Sequence, residues 1–105
     1  MALDPVIHAP VRLRIVTLLA STLPDPADEL PFLQLQRELD LTAGNLTTHL
    51  TRLEDAGYVA ISKGFQGRKP VTHVALAPAG RLAFATYREE LLAMLSAPSR
   101  RRGDR

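Results

Sequence analysis

Residues 42–59 read TAGNLTTHLTRLEDAGYV, and this stretch decides the fold. Leu46, Leu50 and Leu53 recur within it at positions i, i+4 and i+7. On an α-helix that spacing places all three side chains on one face, as a stripe that can be buried against a core. The stretch therefore predicts an amphipathic helix with a leucine back and a different, polar front.

Both ends of this helix carry the residues that usually bound one. Thr42 is a good N-cap because its hydroxyl can accept a hydrogen bond from the backbone N–H of Asn45 or its neighbour. Ala56 and Gly57 follow the last leucine, and glycine suits the left-handed conformation after a helix. We therefore expect the helix to begin just after Thr42 and to end near Ala56.

The front of this helix is small and rich in hydrogen-bonding groups. Threonine is a mediocre helix former, so four threonines at 42, 47, 48 and 51 are not explained by helix propensity. Asn can pair with adenine, Arg with guanine, and Thr with bases or phosphates. An ordinary solvated helix face is the alternative. The pattern favours a helix that contacts DNA through Thr42, Gly44, Asn45, Thr47, Thr48, Thr51 and Arg52.

The segments before this helix complete a helix–turn–helix. Residues 5–22 read as helical, with Pro10 at a first-turn position, and residues 23–31 read as an acidic, proline-rich loop. A short helix over residues 32–39 is then joined to the threonine-rich helix by the tight connection at residues 40–41. In a helix–turn–helix the second helix enters the major groove.

The segments after it read as a β-hairpin with a basic tip. Residues 58–63 and 71–76 alternate as strands, and residues 64–70 read as a long loop because they contain two glycines and a proline. No acidic residue occurs between positions 56 and 88. A solvated turn is the alternative to a tip that follows phosphates or enters a minor groove. The cations assigned to DNA contact here are Lys63, Arg68 and Lys69.

A last helix is predicted from Pro78 to about Leu95, with apolar residues on two adjacent faces. We assign Leu82, Ala85 and Leu92 to packing within the chain. The other stripe would stay exposed unless it is paired, which predicts a homodimer about a two-fold axis. The interface residues expected from this stripe and from the N-terminal segment are Leu3, Val6, Ile7, Phe84, Tyr87, Leu91 and Leu95.

Length and composition bound the class of protein. A chain of 105 residues predicts one domain, here residues 1–95, with residues 96–105 as a disordered basic tail. There is no apolar run near twenty residues, and no cysteine, which fits a cytoplasmic protein with neither a membrane span nor disulfides. The net charge is −3 over residues 1–40 and positive beyond them. On charge alone, a solvated basic tail explains this asymmetry better than an anionic partner does.

The stretch from Gly44 to Val59, together with residues 10–16, 32–35, 67–70 and 77–81, resembles the winged-helix transcriptional regulators related to the MarR and ArsR families. The resemblance implies an α+β, mainly helical fold: a winged helix–turn–helix with a two- or three-stranded antiparallel wing and a C-terminal dimerisation helix. It also implies a homodimer that binds a pseudo-palindromic site in double-stranded DNA, usually as a repressor. By the same analogy, a small-molecule effector of unknown identity could wedge between the dimer helices and the DNA-binding lobes.

Two features depart from these families. Ala77 stands where they commonly have a threonine N-cap for the last helix, which should weaken that cap by roughly 1 kcal/mol. The cysteine and histidine clusters of many ArsR-type metal sensors are missing, so we expect no metal and no cofactor. His49, at the border of the leucine stripe, is interpreted as a structural histidine rather than a ligand or base reader.

Two other classes of protein remain as alternatives. A winged helix that serves as a protein–protein interaction module without binding DNA would show weak DNA affinity without a strong salt dependence. A small enzyme or ligand carrier would need a convergent catalytic cluster, and the sequence shows neither a nucleophile motif nor a phosphate-binding glycine loop. We therefore predict a DNA-binding regulator and not an enzyme.

Overall fold

The computed structural model describes residues 3–97, which form four helices and three strands. The helices and strands lie along the chain as α1 (Pro10–Thr22), β1 (Leu30–Pro31), α2 (Phe32–Leu39), α3 (Ala43–Asp55), β2 (Val59–Gln66), β3 (Lys69–Leu76) and α4 (Pro78–Ser96). This order confirms the predicted α+β helix–turn–helix with an antiparallel wing and a C-terminal helix. Of the predicted basic tail, Ser96 ends α4 and residues 98–105 lie outside the described residues.

The sheet is three-stranded and antiparallel in the order β1-β3-β2. The β2–β3 hairpin, which we call the wing, pairs without interruption from Val59↔Leu76 to Gln66↔Lys69. The long loop predicted over residues 64–70 is therefore wrong, because only Gly67 and Arg68 connect the strands. Gly67 has φ +66°, which glycine adopts without the penalty of a side chain at the first central position of a two-residue hairpin turn.

The core lies between α1, α2, α3 and the base of the sheet. The leucine stripe predicted for α3 is confirmed, since Leu46, Leu50 and Leu53 are all buried. The inward faces of the two wing strands supply Val59, Val74 and Leu76 to the same core. Burying such a side chain stabilises the fold by about 1.5–3 kcal/mol, so this stripe fixes which face of α3 points outward.

Helix α4 buries the apolar face that was predicted to be exposed, and it exposes the face that was predicted to pack within the chain. Gly80 and Tyr87 are its buried residues, and Phe84 packs against the core. The residues assigned to packing within the chain, Leu82, Ala85 and Leu92, are exposed, so that assignment is wrong. Gly80 explains the rotation of the helix, because a Cβ there would lie 2.0 Å from the carbonyl oxygen of Tyr58. Only a face that bears glycine can approach this backbone so closely.

The segment before α1 is tied to the body by side-chain hydrogen bonds, one of them to Tyr87, which was expected at the dimer interface. Residues 5–9 form turns rather than the predicted first part of a helix. The Asp4 carboxylate accepts from the backbone N–H of Val6 at 2.9 Å and from the Tyr58 hydroxyl. The Nδ1 atom of His8 lies 2.8 Å from the hydroxyl oxygen of Tyr87. These contacts hold Ile7 in a fully buried position against the body.

Candidate nucleic-acid interface

Helix α3 begins as the sequence predicts. Thr42 has an extended backbone, and its hydroxyl oxygen accepts from the backbone N–H of Asn45 at 3.1 Å. The preceding turn is closed by Asp40, which adopts a left-handed conformation with φ 54°. Asp and Asn tolerate this conformation better than most residues with side chains do. Asp40 therefore closes the short connection between α2 and α3.

The outward face of α3 is fully open to solvent. All seven of its residues assigned to DNA contact are exposed. Two of its threonines donate hydrogen bonds back to the helix, Thr48 to the carbonyl of Gly44 at 3.0 Å and Thr51 to that of Thr47 at 2.9 Å. Their hydroxyl protons are therefore engaged, while the oxygen lone pairs remain free to accept. Along this face, only Asn45 and Arg52 combine length with free donor groups.

A groove of about 600 Å³ separates α3 from the wing. Thr47, Thr51 and Glu54 line it on the helix side, and Lys63 and Thr72 line it on the wing side. Glu54, in the last turn of α3, thus shares this groove with Lys63. The groove therefore contains one acidic and one basic side chain.

The wing presents its cations as the sequence predicts. Lys63, Arg68 and Lys69 are all exposed, the first beside α3 and the other two at the hairpin turn. The turn is tight rather than long, so Lys63 and Lys69 stand on paired strands and Arg68 lies in the turn between them. Sequence reasoning missed Phe65, which is 75% exposed on the same strand as Lys63. Its alternation with Ile61 and Lys63 was the signal that could have found it.

One arginine of α1 contacts α3 and another contacts the end of α2. The Nε atom of Arg12 donates to the carbonyl of Val6 at 2.7 Å, and its guanidinium lies 3.4 Å from Nδ1 of His49. Arg14 donates to the carbonyl of Leu39, at the end of α2, at 2.9 Å. Burial, and then the charges of Arg12 and Arg52, lower the pKa of His49 below its usual value.

These contacts support the interpretation of His49 as structural.

Within residues 3–97, no group of three or more histidine or acidic side chains is placed to hold a metal ion. None of the helices in the same range is long and apolar enough to cross a membrane.

The similarity to known proteins extends over nearly the whole domain that carries α3 and the wing. A family model of the winged helix DNA-binding domain matches residues 11–95, which include α1 to α4 almost entirely. The chain belongs to the winged helix DNA-binding domain family. This winged helix protein is therefore a DNA-binding regulator by family rather than an enzyme.

Relatives extend the comparison. A transcriptional regulator homologue from Pyrococcus horikoshii OT3 is 34% identical, with 88% of this chain and 89% of that chain covered and a TM-score of 0.69. A protein of Methanocaldococcus jannaschii described only as uncharacterized is 32% identical over 83% of this chain and 89% of its own length. A MarR-family regulator from Silicibacter pomeroyi shares the fold at 18% identity, with 93% and 66% of the two chains covered and a TM-score of 0.60. The resemblance drawn from the sequence is confirmed.

The residues expected at a dimer interface divide into two groups. Ile7 and Tyr87 are buried within the chain, so they have almost no surface left to give to a partner. Phe84 packs against the core of its own chain. Leu3, Val6 and Leu91 are half-buried, and Leu95 is 71% exposed. The interface stripe is thus available mainly at the far end of α4 and along the N-terminal segment.

Proposed function

We propose that this protein is a sequence-specific repressor that binds a promoter in double-stranded DNA as a homodimer and works in the cytoplasm. One observation carries the proposal: the ten residues assigned to DNA contact from the sequence are all exposed on α3, its N-cap and the wing, and Thr47, Thr51 and Lys63 line the groove between α3 and the wing. Folding alone does not require hydroxyls, an amide and cations to converge on one surface.

The geometry of duplex DNA fits this surface. The major groove is about 12 Å wide and admits one α-helix, for which α3 offers Asn45 near its N-terminus and Arg52 further along. Backbone N–H groups at the start of α3 add a favourable field for phosphate. The cations of the wing would then reach the neighbouring phosphates or the minor groove. Recognition of bases is assigned to α3 and general affinity to the wing.

A second copy of the chain is the partner we propose for the end of α4. Every residue from Leu92 to Ala97 is exposed, including Met94 at 57% and Leu95 at 71%. Packing these side chains against their two-fold equivalents, beside Leu3 and Val6, would remove apolar surface from water. Two α3 helices would then meet successive major grooves about 10–10.5 base pairs apart. Occupancy of such a site in a promoter blocks polymerase.

The test is selection of bound fragments from random duplex DNA by the full-length protein. The proposal expects an enriched pseudo-palindrome with half-sites about one helical turn apart, and affinity that falls steeply with added salt. Transcription in vitro from a promoter that contains the site should fall when the protein is added. Recovery of no preferred sequence, or binding without salt dependence, would favour the protein-interaction module instead.

A further inference from the structure

Phe65 is an exposed apolar side chain near the tip of the wing. It is the only aromatic among the exposed large hydrophobic side chains of residues 3–97, and at 75% it is the most exposed of them. Its cross-strand partner is Pro70, at the second pair from the tip of the wing. A single exposed apolar side chain is common on protein surfaces, so the case for a ligand rests on where Phe65 points and on the charges beside it.

The register of the wing fixes the direction in which Phe65 points. Side chains two residues apart on a strand share a face, so Phe65 lies on the face of Val59, Ile61 and Lys63. Val59 is buried in the core, while Ile61 and Lys63 line the groove beside α3. Phe65 therefore continues this row outward, on the side of the wing that is turned toward the recognition helix.

The charges around Phe65 indicate a polyanion rather than an apolar protein surface. Lys63, Arg68 and Lys69 lie within four residues of it, and all three are exposed. No carboxylate occurs on the wing or anywhere between residues 56 and 88. Glu54 of α3 and Glu29, which accepts from Ser62 at 3.2 Å, lie nearer the base of the wing, so the outer part around Phe65 is the basic part. An exposed apolar side chain beside cations matches a site where bases lie between two rows of phosphates.

We propose that Phe65, backed by Pro70, is an apolar wedge that enters the minor groove between two base pairs and bends the DNA. This inference rests on the proposed DNA-binding function and adds a specific deformation to it. Phenylalanine and other apolar side chains inserted between base steps kink a duplex by about 20–90°. Pyrimidine–purine steps unstack most readily, so the wedge selects such a step at a position that α3 does not contact.

The experiment uses the full-length protein and a duplex recovered by selection from random DNA, with donor and acceptor dyes at its two ends. Energy transfer reports the bend, and titration reports the affinity. The variants are Phe65→Ala, which removes the wedge, and Phe65→Leu, which keeps an apolar one. Leu82→Ala is the matched control, because Leu82 is 70% exposed but lies on α4. Sedimentation of each variant without DNA reports its oligomeric state.

We expect Phe65→Ala to lose the bend and to bind about tenfold more weakly, the equivalent of one lost stacking contact. Phe65→Leu should keep most of both, and Leu82→Ala should resemble the wild type. If Phe65→Ala still bends the DNA, the wedge is overturned while the proposed repressor function stands. The same holds if Phe65→Leu neither bends the DNA more nor binds it more tightly than Phe65→Ala. A change in sedimentation would assign Phe65 to a protein interface. A wild-type chain that binds no duplex would overturn both proposals.

Discussion

Gly80 and Tyr58 are in direct contact through their backbones. The carbonyl oxygen of Tyr58, between α3 and β2, accepts from the N–H of Ala77 at 3.0 Å and lies where a Cβ of residue 80 would be. The first turn of α4 is thereby held against the short segment that joins α3 to β2. This contact sets both the rotation of α4 and the stripe that it turns outward.

We predict that Gly80→Ala destabilises the protein by about 1–3 kcal/mol or more, because the added methyl group must displace backbone rather than a mobile side chain. Urea unfolding followed by circular dichroism measures the change. Gly44→Ala is the control, since Gly44 also lies in a helix but a Cβ there would meet nothing within 4 Å beyond its own turns of helix. That variant should be as stable as the wild type or up to about 1 kcal/mol more stable. Equal losses in both variants would contradict the close approach.

Base recognition and phosphate contact should separate in two variants. Arg52→Ala should cost about 1–3 kcal/mol on the selected site and relax the preference at one base pair. Lys69→Ala should weaken binding to every sequence and lower the salt slope by about 1. Titration of selected and scrambled duplexes at several salt concentrations measures both effects. Arg88→Ala, an exposed arginine of α4, is the control and should change neither. If Arg52→Ala and Lys69→Ala also leave binding unchanged, the assigned surface is wrong.

The oligomeric state should depend on one end of α4 and not on the other. Leu95→Glu is expected to convert the dimer to a monomer, because it places a charge in the proposed apolar interface. Leu82→Glu is the matched control: the two leucines are 71% and 70% exposed on the same helix. Analytical ultracentrifugation at micromolar concentration distinguishes them. Dissociation by the substitution at position 82 alone would place the interface on the opposite stripe.

His49 should make the folded state sensitive to mild acid. Its folded-state pKa lies below the unfolded value of 6.5, so the neutral ring is favoured in the folded state. Its contribution to stability is therefore present above pH 6.5 and is lost as the pH falls through the folded pKa. The difference in unfolding free energy between the wild type and His49→Gln should shrink from pH 8 to pH 5. A difference that is constant with pH would contradict this assignment.

An NMR titration of the His49 ring provides an independent check. The charge of Arg52 is one of the causes that lower the pKa of His49. Arg52→Gln removes that charge and leaves Arg12 in place, so the pKa should move upward toward its usual value without reaching it. An unchanged titration would remove Arg52 from the causes.

The predictions from the sequence were most accurate for features that depend on residues close together in the chain. Thr42 caps α3, Gly57 has φ 81° just after it, and the leucine stripe is buried. Each of these depends on residues within one or two turns of each other. The seven residues of α3 and its N-cap that are assigned to DNA contact could be chosen because the buried stripe of α3 defines its opposite face.

The wrong predictions concern features that depend on contacts between residues far apart in the sequence. Gly64 and Pro70 resemble loop residues locally, yet cross-strand pairing extends both wing strands to the turn. On α4 two apolar stripes have the same helical period, so periodicity cannot distinguish the inner one. The backbone of Tyr58, more than twenty residues before Gly80, makes that choice. Phe65 was overlooked because its exposure depends on the same pairing.

Because the two strands of the wing pair without interruption, the length of the hairpin determines the face of the sheet on which Phe65 lies. Inserting one residue between Lys63 and Phe65, and one opposite it in β3, would lengthen the hairpin by about 3.4 Å and carry the ring of Phe65 to the far side of the sheet. Inserting two would lengthen it by roughly 7 Å and restore the original side. Wings in related proteins that keep an aromatic tip on this side should therefore differ in strand length by even numbers of residues.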